Sequence, residues 1–118
     1  MALRSMITRL RTPVEVLDAE QLVTFFADLG LTALDALPLR VPVRFGGEIS
    51  AIRLVPRAAA PSLEITVSDG RGSAVAVFLG RATVPGMTSG RRLELEGVAL
   101  RDGRRVLVYN PWYRFLSH

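Results

Sequence analysis

The sequence has no cysteine and no lysine, and its one histidine, His118, is the final residue. Without cysteine there is no disulfide framework and no thiolate zinc site. A histidine at a chain end is poorly placed to act as a fixed base. Histidine-dependent catalysis and imidazole-bound metal are therefore not expected, and neither is a cofactor. Aromatic residues make up 7% of the chain, which limits any base-stacking surface. No apolar run approaches the roughly 20 residues of a membrane-spanning helix. The opening MALRSMITRL lacks the continuous apolar stretch and cleavage site of a secretory signal. A cytoplasmic location without an integral membrane segment is the expectation.

What is present is a chain of 118 residues, 49% hydrophobic, enough for one domain with a real core. That hydrophobic share is high for a small monomer and suggests apolar surface covered by a partner protein or a second copy. All fifteen basic residues are arginine, the residue suited to bidentate phosphate contacts, although a GC-rich coding sequence writes much of the same bias. Charge is unevenly spread. Residues 1–11 carry three arginines and no acid, residues 12–40 carry five acids against Arg40, and residues 70–118 hold eight arginines against three acids. A basic C-terminal half with a basic N-terminal arm fits an anionic partner.

Two periodicities divide the chain. Leu3, Met6, Ile7 and Leu10 have helical spacing beside Arg4, Arg9 and Arg11. This arm either rests on its own domain or touches a membrane, nucleic acid or another protomer. Thr12-Pro13-Val14-Glu15 reads as a capping box with proline at the first helical position. The helix it opens carries Val14, Leu17, Leu22, Phe25, Phe26 and Leu29 on a broad apolar face, and Gly30 can close it. From Val41 the period becomes two. A first long strand starts near Pro42 and is interrupted by Gly46-Gly47, where a bulge or sharp bend is expected. Shorter strands follow at 63–68, 73–79, 92–100 and 105–109. Asp69-Gly70-Arg71-Gly72 and Arg101-Asp102-Gly103-Arg104 form the turns, and Asn110 to Phe115 form a tail. DGRG is not a phosphate loop, because a strand rather than a helix follows it. Five strands with a longer connection between the third and fourth predict an all-β, five-stranded Greek-key OB-fold barrel with an added N-terminal α-helix. The expected division is an arm and acidic helix over 1–40 and the barrel over 41–118.

The runs VSDGRGSAVAVFLGR, VPGMTSGRRLELEG and RDGRRVLVYNPWY resemble the small stand-alone OB-fold nucleic-acid-binding domain proteins of actinobacteria. A more distant likeness is to the OB wedge domain of fork-remodelling helicases and to the OB domains of aminoacyl-tRNA synthetases. The resemblance covers roughly residues 43–113. It implies the same barrel and nucleic-acid binding, DNA-binding among its forms. The chain departs from the pattern at Pro42, at the Ala58–Ala60 loop and at Trp112.

An OB-fold binds single strands with arginines on the backbone and aromatic faces on the bases, across strands two and three and their flanking loops. The candidate nucleic-acid residues are Arg53 and Arg57 by the first loop, Arg71 in the second turn, Arg81 after strand three, and Arg101, Arg104 and Arg105 at the last hairpin. The candidate stacking rings are Phe78 and Trp112, with Tyr109 expected to plug the barrel end. If Ala74, Ala76 and Phe78 point inward, Val75 and Val77 form an outer apolar strip that suits a protein partner instead. Glu94 and Glu96, with Glu48 nearby, are the carboxylates that could gather around magnesium, and a solvated strand face is the simpler expectation. No serine or threonine has a partner base, so the protein is not expected to be an enzyme. Two functions remain: a low-specificity binder of single-stranded DNA or RNA, or a protein-interaction or self-association module.

Overall fold

A computed structural model describes residues 13–117. The basic arm, Thr12 of the expected capping box and His118 lie outside the described residues. The elements are helix α1 (Pro13–Asp28), a 3-10 turn (Leu34–Ala36), and strands β1 (Pro42–Val55), β2 (Ser62–Ser68), β3 (Ser73–Leu79), β4 (Arg92–Asp102), β5 (Arg105–Tyr109) and β6 (Trp112–Leu116).

The strands form one sheet in the order β1-β2-β3-β5-β4-β6, closed by pairing of β1 with β4. Closure is possible because β1 is long enough to serve two neighbours. Its first half pairs antiparallel with β4, from Pro42↔Val98 to Glu48↔Arg92. Its second half pairs with β2, from Glu48↔Ser68 to Val55↔Ser62. Gly46-Gly47 marks the changeover. A Cβ on Gly46 would lie 2.8 Å from the Phe26 ring, and one on Gly47 would lie 2.8 Å from Val67 Cβ. The glycines thus let the helix and β2 approach the β1 backbone closely. The bulge itself falls later, between Ile49 and Ala51.

Inward residues of every barrel strand meet in one core, including Phe45, Ile49, Ile65, Val67, Ala76, Leu93, Leu95, Ala99 and Val108. In the connection between β3 and β4, Val84 and Met87 are the two buried anchors. Helix α1 ends as the sequence indicates, with Gly30 at φ +71° and its N–H donating to Ala27 O at 3.0 Å. The broad apolar face is only partly used. Phe26 is buried, which is worth about 2–3 kcal/mol, whereas Val14, Leu17 and Leu29 are exposed. The helix meets the barrel through Ala19 and Val23 at the β2–β3 turn and Phe26 at β1.

The tail forms a further strand. β6 continues β5 along β4, pairing Trp112↔Glu96 through Leu116↔Arg92 where β5 paired Val108↔Ala99. The break between them is Asn110-Pro111. Asn110 has φ +47°, its N–H donates to Val77 O at 2.8 Å, and its Oδ1 accepts Leu79 N–H at 3.0 Å. Its side chain thereby completes the β3 ladder where the β5 backbone turns away. Plugging of the barrel end falls to Tyr113 and Phe115, not to Tyr109. Tyr113 meets Phe78 edge-on at 5.6 Å and Phe115 at 5.8 Å.

Candidate nucleic-acid interface

Asp69-Gly70-Arg71-Gly72 joins β2 to β3, and its acid is an anchor. Asp69 is buried. Its Oδ1 accepts the N–H groups of Arg71 at 2.9 Å and Gly72 at 3.0 Å. Its Oδ2 accepts Leu34 N–H at 2.9 Å, 35 residues back in the chain. Gly70 presents bare backbone to Ala19 of the helix, where a Cβ would overlap the Ala19 carbonyl. Arg71 pairs with Asp35 at 3.5 Å and lines a crevice with Glu15 and Asp18. The turn therefore packs against the acidic helix, and Arg71 is engaged by Asp35.

The outer face of β2 and β3 is built differently from a stacking platform. Phe78 turns into the core and is 5% exposed, which corrects its assignment as a stacking ring. Alternation along β3 then sends Val75 and Val77 outward, where they pack with Leu107 of β5. This strip is covered, not open. Glu64 on β2 reaches Arg105 Nη1 on β5 at 3.0 Å, so the ion pair spans the strand that lies between them. Arg53 stands 4.0 Å from the same carboxylate, and Arg105 also meets Asp102 at 3.6 Å. The Glu64 carboxylate, as hydrogen-bond acceptor and as counter-charge, holds the Arg105 guanidinium above its ordinary pKa.

The loops beside this face carry less encumbered cations. Arg57, in the β1–β2 loop, donates Nε–H to the buried Ser62 hydroxyl at 2.7 Å and has no ion pair among the described residues. Arg101 and Arg104 of the β4–β5 hairpin have none either, nor does Arg81 after β3. Arg40 is one more, fixed by its N–H to Ala99 O at 2.9 Å. Sequence reading did not single it out, because the pairing of residue 40 with β4 has no local signature.

Trp112 is 49% exposed, and Tyr109, expected inside, is 42% exposed. The carboxylates do not gather as a cation site. Glu94 is buried between Arg44 at 3.2 Å and Arg114 at 2.7 Å, Glu96 meets Arg44 at 3.3 Å, and Glu48 is held by Arg92 at 3.1 Å. Among the described residues no helix is long and apolar enough to cross a membrane.

Neither a protein-family model nor a curated protein matches the sequence. Among solved structures, the chain is similar to one in a replication protein A heterotrimer bound to ssDNA, with TM-score 0.51 and 16% identity. The likeness covers 75% of this chain and 66% of that one. The barrel is an OB-fold. At that identity the likeness shows the fold alone. An OB barrel places its ligand surface over β2, β3 and the loops between β1 and β2 and between β4 and β5. In this chain Arg53 and Arg57 stand by the first of those loops, and Arg101, Arg104 and Arg105 by the second.

Proposed function

We propose that this chain is a non-catalytic OB-fold protein that binds single-stranded nucleic acid with little sequence preference. The observation that carries the proposal is the set of arginines without ion pairs among the described residues on both loops beside the β2–β3 face: Arg57 on one side, Arg101 and Arg104 on the other. Unpaired guanidiniums give up little on meeting phosphate, whereas paired ones must first leave their carboxylates. Arg53 and Arg105 contribute a second, weaker rank, because Glu64 is shared between them. The similar chain from replication protein A, itself in a complex bound to ssDNA, supports the same reading by fold analogy.

The test is fluorescence anisotropy with labelled oligonucleotides. Mixed-sequence single strands are expected to bind at low salt, and Arg57→Gln/Arg101→Gln/Arg104→Gln to bind at least tenfold more weakly. Equal affinity of the triple variant would remove these loops from the interface.

A self-association reading is favoured by different residues, the exposed Val14 and Leu17 of α1 and Ile52 and Leu54 of β1. The covered strip of Val75 and Val77 gives it no support. Light scattering separates the two, since a strict monomer that binds oligonucleotides leaves only the first.

A further inference from the structure

The arginine loops leave the bases unaccounted for, because the β2–β3 face offers no ring. Among the described residues, Phe26, Phe45 and Phe78 are core, and Phe25, Tyr113 and Phe115 are half-buried. Tyr109 and Trp112 are the exposed aromatics, and they stand together. Trp112 pairs with Glu96 on β4. Tyr109, one step beyond the Val108↔Ala99 pair, comes alongside Val98. Val98 and Glu96 lie on the outward face of β4, between the buried Leu95 and Ala99. The two rings therefore rise from the same outer surface, about 7 Å apart along the strand.

Three further features suit these rings to a nucleic-acid strand. The Tyr109 hydroxyl and the Trp112 indole N–H have no partner among the described residues, which leaves both polar tips open to a ligand. Arg81, without an ion pair among the described residues, lines a crevice of about 370 Å³ with Asn110 and Pro111, the two residues that join Tyr109 to Trp112 in the chain. Arg44 lies 5.7 Å from the Trp112 ring centre, so the indole is already framed by a cation. The platform also continues the β2–β3 face. Tyr109 pairs with Val77, Val77 with Glu64, and Glu64 with Arg53, in one row across the sheet.

We propose that the base-stacking platform of this OB barrel is the β5–β6 bend. A single strand crosses from the arginine loops over β3 and stacks bases on Tyr109 and Trp112, and Arg81 holds a phosphate at the bend. This rests on the nucleic-acid reading above and moves the bases off β3, whose ring is in the core.

Trp112 is the chain's one tryptophan, so its emission reports the platform in the unaltered protein. An oligothymidylate is expected to quench it in step with the anisotropy rise, and an abasic strand of equal length is expected not to. Tyr109→Leu and Trp112→Leu keep apolar bulk and remove the π-face. Each is expected to weaken oligonucleotide binding roughly five- to 150-fold. Arg81→Gln is expected to make the slope of log K against log salt about 0.7 shallower. Binding with unchanged Trp112 emission and leucine variants within twofold of wild type would overturn the platform while leaving the arginine loops in place. No binding of any strand at low salt would overturn both.

Discussion

Replacing Asp69 with alanine removes the acceptor of three backbone N–H groups at once. The consequences differ by site. Leu34 N–H is buried and has no substitute, so losing its bond to a carboxylate costs about 1.5–3 kcal/mol. The Arg71 and Gly72 N–H groups are part-buried, and water can reach them, so each is worth about 0.5–1 kcal/mol. The total is about 2.5–5 kcal/mol, a large share of the roughly 5–15 kcal/mol that holds a domain folded. Unfolding entropy near 2.1 cal/mol/K per residue gives about 0.25 kcal/mol/K for a chain of this size, so Tm should fall by about 10–20 °C. Circular dichroism during thermal and urea unfolding measures it, with a lower midpoint at unchanged m-value as the sign of a pure stability effect. Asp69→Asn keeps one oxygen and should fall between the alanine variant and wild type. A loss below about 4 °C for Asp69→Ala would refute the claim that this carboxylate ties the 3-10 turn to the barrel.

Other outcomes follow from the same geometry. Gly46→Ala drives a methyl into Phe26 and Leu31 and should cost about 1–3 kcal/mol in urea unfolding. Asn110→Gly keeps the left-handed backbone and loses only the bond to Leu79 N–H. It should cost about 1 kcal/mol, and Asn110→Ala more, because alanine also resists φ +47°. Glu64→Gln releases Arg53 and Arg105 from their shared carboxylate. Oligonucleotide binding should tighten severalfold at low salt, and its slope of log K against log salt should steepen by about 0.7 or more.

The barrel strands and the closing glycine of the helix are legible in the sequence because their signals are local. Alternating apolar residues, Asp-Gly turns and Gly30 each act within a few positions. The roles decided across the sheet are not legible. Phe78 and Val75 sit in one alternating run whose two faces are both apolar, so the pattern leaves open which face is inside. Packing settles it, with Phe78 in the core and Val75 against Leu107 of β5. Trp112 to Leu116 does not alternate cleanly and follows a proline, which hides β6. The same bend exposes Tyr109 by ending β5 where the β4 register shifts. Arg71 resembles the other arginines in sequence, and only the fold sets it beside Asp35.

The most direct test of the central claim is the salt dependence of single-strand binding. Arg57, Arg81, Arg101 and Arg104, with Arg53 and Arg105 added when Glu64 yields them, would neutralise four to six phosphates. Anisotropy titrations across a range of salt should then give a slope of log K against log salt of about −3 to −4. A slope near zero, or no binding at low salt, would contradict the account.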